Sequence, residues 1–294
     1  MKPDSKACLY ALATALLWST VATAFKIALE SMNSWQLAFW SVLMSTPLLG
    51  MAVLIQGNGH LIKAQIKQSF WLYMALGFLN PFLYHVSLFG AYALLPAQQA
   101  QVLNYSWPMA LTLLAVPLLG KRLTLKDLTC CLLAYAGVMV ICTKGDFSSL
   151  NFGSPLGVLL ALATTLIWAL YWIFNARKEG DPIVSLFICF LFGLPWVVGS
   201  TLFFSDKVLV PIEGFAAATY IGFIEMGFGY MLWLKALKTA ENTAAISNIS
   251  YLSPFLSLIF IANILGETIY PATYAGLIMI ITAVIAQRQF NRAA

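Results

Sequence analysis

One carboxylate in this chain stands where carboxylates are costly. Glu225 lies in Gly222-Phe223-Ile224-Glu225-Met226-Gly227, well inside a long apolar run. An acid in such a run must be protonated, paired or in contact with water. Two chemistries suit it: binding an amino group, or taking up and releasing a proton. The plain alternative is a protonated packing residue, or one that faces a wet cavity without a role. Lys26 is the one basic residue inside an apolar run. It is a candidate counter-ion for Glu225 or for a ligand carboxylate, and it also lies close enough to the end of its run to snorkel outward.

Around these charges the sequence is rich in rings, with nine Trp, 12 Tyr and 20 Phe. Trp168, Tyr171 and Trp172 share one helical face by their i, i+3, i+4 spacing. Tyr84 and His85 follow closely behind Pro81, and Tyr105 and Trp107 flank Ser106 just before Pro108. Stacked rings of this kind make apolar and cation–π contacts with an amphipathic ligand. Pro108 and Pro254 are expected mid-helix, where each removes a backbone hydrogen bond and frees a carbonyl. Asn104, Ser106 and Asn248 lie within a turn or two of them. The candidate contact residues are therefore Trp18, Tyr84, His85, Asn104, Tyr105 and Trp107 from the first half. Those from the second half are Trp168, Trp172, Glu225, Tyr230, Asn248 and Tyr251. Glu225 and Lys26 are the candidates for ion or proton coupling. Ordinary core packing is the competing explanation for each ring.

Catalytic inventory is otherwise thin. There are two histidines and 11 acids, nearly all of the acids in loops or at segment ends. No Ser-His-Asp set, paired carboxylates, HExxH or phosphate-binding loop can be assembled. That argues against an enzyme and against a pump with its own nucleotide site, and no cofactor or metal is expected. The five cysteines fall in apolar segments without metal-ligand spacing and read as reduced core residues.

The elements that must position these groups follow from composition. Of 294 residues, 61% are apolar and 9% charged, with a mean hydropathy of +0.85. A soluble domain of this size lacks the polar surface for such a chain, and disorder, a disulfide-stapled module and a nucleic-acid-binding domain are excluded. Ten apolar segments can be marked off, at 7–29, 35–55, 70–94, 97–119, 125–143, 155–175, 182–204, 212–234, 243–265 and 272–287. Each is long enough, or nearly so, to cross a bilayer as a helix. Ala22-Thr23-Ala24 mimics a signal-peptidase site after Lys2 and Lys6, but the apolar run is too long for a signal peptide and its motif recurs mid-chain.

That recurrence is the most informative feature. Residues 11–18, ALATALLW, match residues 161–168, ALATTLIW, at a spacing of 150. Tyr105-Ser106-Trp107-Pro108 aligns with Tyr251-Leu252-Ser253-Pro254, and Leu119-Gly120 with Leu265-Gly266, both at 146. Residues 76–80 resemble 221–225 at 145, which sets Asn80 opposite Glu225. The expected architecture is an all-α membrane protein of ten helices in two five-helix repeats, 1–147 and 148–294. An odd helix count per repeat makes the second enter the membrane from the opposite side, so the halves are inverted around a central cavity. Charge supports ten spans: 13 of the 16 basic residues fall on the side of the tails and even-numbered loops, Lys144 and Lys207 on the other, and Lys26 within a span. By the positive-inside rule both termini are cytoplasmic.

The chain resembles the drug/metabolite transporter superfamily, in its ten-helix EamA-type branch, over nearly its whole length. The resemblance rests on Leu17-Trp18-Ser19 with Phe25-Lys26, on Leu119-Gly120 and Leu265-Gly266-Glu267, and on 230–237. Asn104-Tyr105-Ser106-Trp107-Pro108 is similar to a segment of bacterial exporters of aromatic amino acids. Lys121 departs from the family, which has Glu there. The resemblance implies secondary transport by alternating access: export of a small organic solute, an amino acid (aromatic favoured) or related metabolite, across a bacterial inner membrane. Proton-coupled efflux of organic cations, or import, is the alternative within transport; a membrane sensor or assembly subunit is the alternative outside it. The partners expected are a small-molecule substrate and the lipid bilayer, with no nucleic acid, in a monomer or weak homodimer.

Overall fold

The computed structural model describes residues 3–119, 125–146, 153–176, 180–239 and 249–290. Among these the secondary structure is entirely helical, and each of the ten apolar segments is helical over its described part. The first two helices are α1 (Pro3–Leu29) and α2 (Ser34–Ile55). Next come α3 (Leu61–Gly77), a π-helical stretch at Phe78–Leu83, and α4 (Tyr84–Leu94), which follow one another without a loop but with kinks at Ser69 and Asn80, where the backbone leaves the helical region. After them come α5 (Ala97–Asn104), α6 (Trp107–Leu119), α7 (Leu125–Cys142) and α8 (Pro155–Ala176). Next are α9 (Pro182–Phe204) and α10 (Ile212–Ile221), then a second π-helical stretch at Gly222–Gly229 that continues into α11 (Tyr230–Thr239). The last two are α12 (Leu252–Ile264) and α13 (Pro271–Phe290). Six of the described helical stretches are long and apolar enough to cross a membrane, including the composite rods Asn58–Leu94 and Ile212–Thr239. The protein is an all-helical membrane protein.

Local chemistry explains where the helices begin. The Asn33 side chain accepts from the amides of Trp35 and Gln36, while the Gln36 side chain accepts from the Asn33 amide. This reciprocal box satisfies amides that have no partner within the helix. Asp181 does the same for Ile183 and Val184, with Pro182 pre-set for the first turn of α9. Leu95 is extended ahead of Pro96, which ends α4 and leaves only two residues before α5.

The two expected mid-helix prolines are placed differently. The 97–119 segment breaks at Tyr105–Ser106, and Pro108 falls in the first turn of α6. Likewise Pro254 falls in the first turn of α12, just after a turn at Ser250–Tyr251. A proline is tolerated there because a first-turn amide has no helical partner to lose. Each segment is thus broken at these sites and not merely kinked. The expected helix at 243–265 is described from residue 249, and the expected repeat boundary between residues 147 and 148 lies outside the described residues.

Glycines let neighbouring rods touch backbone to backbone. A Cβ on Gly77 would stand 2.6 Å from the Cys189 carbonyl oxygen on α9, and one on Gly222 2.5 Å from that of Ser41 on α2. The α7–α13 pair is equally close: a Cβ on Gly276 would stand 2.5 Å from the Gly137 oxygen. Small residues at such crossings replace the hydrophobic drive that lipid does not supply.

Candidate functional site

Rings from α1, α4, α8 and α11 wall a cavity of about 450 Å³ near the middle of the bundle. Trp168 of α8 is its hub. Its ring centroid lies 4.8 Å from that of Tyr84 and 5.8 Å from that of Tyr230, and 5.7 Å from that of Trp172 in an edge-on contact. Trp18 of α1 lies 6.2 Å from Tyr230, edge-on, and 5.7 Å from Trp233. The Trp18 indole N–H donates to the Glu225 carbonyl at 3.5 Å. Gly229 permits that approach, because a Cβ there would stand 2.5 Å from Trp18 Nε1.

The break in the fourth apolar segment brings polar groups to this wall. Asn104 donates through Nδ2 to Thr164 Oγ1 at 2.8 Å and accepts from the Tyr84 hydroxyl at 3.5 Å. Tyr105 and Trp107 line the cavity on either side of the break. Glu225 also lines the cavity, 6% exposed and, among the described residues, the only acidic one there. Its Oε1 lies 3.7 Å from His85 Nε2, and its Oε2 has no hydrogen-bond partner among the described residues. His85 is fully buried and held from its other side by a 2.8 Å hydrogen bond from Nδ1 to the Pro81 carbonyl.

Of the residues singled out in the sequence, Trp18, Tyr84, Asn104, Tyr105, Trp107 and Trp168 line the cavity, with Trp172, Glu225 and Tyr230. His85 stands behind the wall and reaches it through Glu225. Tyr251 is not among the lining residues: it is buried beside Met109, Cys130 and Ala283 in a separate cluster. Asn248 lies outside the described residues. Lys26 is placed away from Glu225. Its Nζ donates to the Tyr92 and Leu95 carbonyls at 2.9 and 3.1 Å, where a cation suits the negative end of α4.

At the start of α5 a carboxylate does the converse. Glu267 accepts from the Ala97 amide at 2.7 Å and the Gln98 amide at 3.3 Å, at the positive end of that helix. Gln98 also donates to the Thr268 carbonyl and accepts from the Thr273 hydroxyl. The Leu95–Pro96 corner is therefore tied to α1 and to the α12–α13 loop at one end of the bundle. The cavity runs from there toward Leu237 and Ser250 at the other end.

The EamA-like transporter family model matches residues 5–143 and again residues 155–286. The chain belongs to the EamA-like transporter family. An uncharacterised transporter of Archaeoglobus fulgidus is 26% identical to it over 90% of this chain and 91% of that protein. The aromatic amino acid exporter YddG of Ancylobacter novellus is 24% identical over 87% of this chain and 88% of that protein. A solved crystal structure shares the fold with a TM-score of 0.69, at 21% identity, covering 98% of each chain.

Within this EamA-family chain, sequence reasoning passed over Tyr92, Gln101, Trp233 and Ser250, all of which line the cavity. Two of them carried a readable signal. Gln101 stands three residues before Asn104 and Trp233 three after Tyr230, so each shares a helical face with a residue already chosen. Ser250 precedes Tyr251 by one residue, and the turn there decides which of the two faces the cavity.

Proposed function

We propose that this EamA-family protein is a secondary transporter that exports a small amphipathic amine, with aromatic amino acids as the favoured cargo. The observation that carries this reading is the cavity: about 450 Å³, walled by Trp and Tyr rings, with one carboxylate. That volume is within the roughly 300–1,000 Å³ of small-molecule sites. The rings would stack on the aromatic part of the cargo, Glu225 would take its ammonium group, and Asn104 would orient its polar atoms. The relative in Ancylobacter novellus, an aromatic amino acid exporter, supports the cargo class.

Transport would proceed by alternating access in a ten-span fold of two inverted repeats. The double match of the family model supports the duplication. So do the paired features of the two halves. Trp18 and Trp168 both line the cavity, Gly77 and Gly222 both abut a neighbouring backbone, and the 97–119 and 243–265 segments both turn just ahead of a proline. With both termini cytoplasmic, the end tied by Lys26 and Glu267 is periplasmic, and the cavity extends toward the cytoplasm. An exporter loads its cargo in that state. Catalysis has no part in this scheme.

Two measurements test it. A thermal-shift screen of the detergent-solubilised protein should single out aromatic amino acids and aromatic amines, because a ligand of the folded state stabilises it. Stabilisation by neither class removes the cargo assignment. Reporter tags at Lys63 and after Arg292 should be cytoplasmic, and tags at Asp146 and Asp206 periplasmic. The same side reported by Lys63 and Asp146 removes the ten-span topology.

A further inference from the structure

His85 and Glu225 meet at the cavity wall, and their placement bears on how many protons they hold. His85 Nδ1 lies 2.8 Å from the Pro81 carbonyl oxygen, which can only accept, so Nδ1 carries a hydrogen. The other ring nitrogen lies 3.7 Å from Glu225 Oε1, with the imidazole fully buried and the carboxyl side chain 8% exposed. A bare Nε2 facing an ionised carboxylate would oppose lone pair to lone pair on the buried side of the carboxyl group. One hydrogen between them removes that conflict, either as imidazolium and carboxylate or as imidazole and carboxylic acid. In both forms the pair is neutral overall, as a low-dielectric setting favours.

Glu225 Oε2 has no hydrogen-bond partner among the described residues, and Glu225 lines the cavity. Building on the reading of this carboxylate as the amine site, we propose that His85 and Glu225 hold a single proton between them and release it to water when a primary ammonium docks on Glu225. Amine and proton then occupy the site in turn, and each amine that leaves on one side can be exchanged for a proton entering from the other.

Charge decides the exchange. An ammonium added to the neutral pair leaves one uncompensated positive charge among aromatic walls, and loss of the shared proton cancels it. The ammonium donates a hydrogen bond to the carboxylate, the proton leaves through the cavity, and no covalent bond to carbon or nitrogen of the cargo changes. Among the described residues no other charged group faces the pair. α2 carries no ionisable side chain, and neither does the π-helical stretch before α4. On α1, Lys26 is engaged by the Tyr92 and Leu95 carbonyls, and Lys6, Cys8 and Tyr10 lie at the other end of the helix. From α4, the α5–α6 break, α8 and α11 come only the phenols of Tyr84, Tyr92, Tyr105, Tyr171 and Tyr230, which are uncharged at neutral pH. On α10, Glu213 and Tyr220 are exposed, as are Lys235 and Lys238 of α11, and α9 brings only Cys189.

The probe is tryptamine, an aromatic monoamine without a carboxylate. Its binding to the detergent-solubilised protein is followed by calorimetry at pH ~6.5 in two buffers of different ionisation enthalpy, which counts protons released per ligand bound. The wild type should release about one proton per tryptamine, and Glu225→Gln should bind more weakly and release none. A second readout uses the two histidines of the chain. In protein labelled with nitrogen-15 at histidine, with His60→Gln to assign the signals, tryptamine should move the His85 Nε2 resonance toward a bare nitrogen and leave Nδ1 protonated. Tryptamine binding to the wild type without proton release, or with the His85 signal unmoved, overturns the exchange while leaving the amine site standing. Failure of tryptamine to bind the wild type overturns the amine site itself, and the exchange with it.

Discussion

Two π-helical stretches interrupt the long helices of this protein, the first kinked at Asn80 and the second helical throughout, and they carry different chemistry. At Phe78–Leu83 the polar residue is Asn80; at Gly222–Gly229 it is Glu225. Each stretch adjoins a glycine pressed against a neighbouring backbone: Gly77 on α9 and Gly222 on α2. Asn80 is fully buried beside Tyr171 and Tyr230 and does not line the cavity, whereas Glu225 does. A π-helical turn displaces one residue from the regular ladder, which is why such turns recur at functional sites. The comparison separates two roles. Glycine contact and an interrupted helix recur at both places, and only the second sets a carboxylate against the cavity.

The largest effects should come from the shared part of the comparison. Gly77→Val and Gly222→Val each place a side chain where even a Cβ would overlap a backbone oxygen, so a rod must shift. Overpacking costs about 1–3 kcal/mol where neighbours can yield, and backbone yields least. Both variants should lose several degrees of melting temperature in detergent, or fail to yield folded protein. Wild-type melting of either variant would show that the close approach is dispensable there.

The next effect should distinguish the two stretches. Loss of a charge-assisted hydrogen bond costs about 1.5–3 kcal/mol, roughly 10- to 150-fold in affinity. Glu225→Gln should therefore fold and lose amine binding by that factor. Asn80→Ala should bind amines within about twofold of wild type, since its side chain is outside the cavity. Equal losses in the two variants would erase the distinction.

Smaller again are the ring contacts. Trp168→Ala and Trp107→Ala should each weaken binding by about 0.5–2 kcal/mol, up to roughly thirtyfold, with melting largely retained. Trp168, with three ring partners in the cavity, should be the more costly of the two. Unchanged affinity in both would make the rings packing alone.

Smallest should be the ties at the other end. Lys26→Met removes a cation from the carbonyl end of α4, an interaction worth about 0.3–1 kcal/mol at a helix terminus and up to ~2 where partly buried. A modest drop in melting temperature with unchanged amine affinity is expected. A drop in affinity as large as that of Glu225→Gln would restore Lys26 as a cavity counter-ion.

Much of this could be read in the sequence, because hydropathy and repeats report on what faces lipid and what recurs. The 182–204 segment coincides with α9, and the abrupt joint between residues 94 and 97 is the Leu95–Pro96 corner. Nine of the 12 contact residues singled out in the sequence line the cavity, with Trp18 and Trp168 found through their correspondence. What escaped depends on partners distant in sequence. Lys26 meets carbonyls 66 and 69 residues away, and apolar periodicity says nothing of a carbonyl. Tyr105 and Tyr251 align in the sequence and meet at one buried cluster, yet Tyr105 lines the cavity and Tyr251 does not, because the turn at Ser250–Tyr251 presents Ser250 there instead. The His85–Glu225 contact joins residues 140 positions apart, and they meet because α1 and α2 each pack against both α4 and the second π-helical stretch.

The central claim is that cargo crosses the membrane through the cavity that Glu225 lines. Counterflow in proteoliposomes preloaded with unlabelled phenylalanine tests it most directly, with labelled phenylalanine outside. Wild-type protein and Asn80→Ala should accumulate label transiently, and Glu225→Gln should do so at least roughly tenfold more slowly. Label uptake by wild-type vesicles no faster than by protein-free ones, or Glu225→Gln matching the wild type, would contradict it.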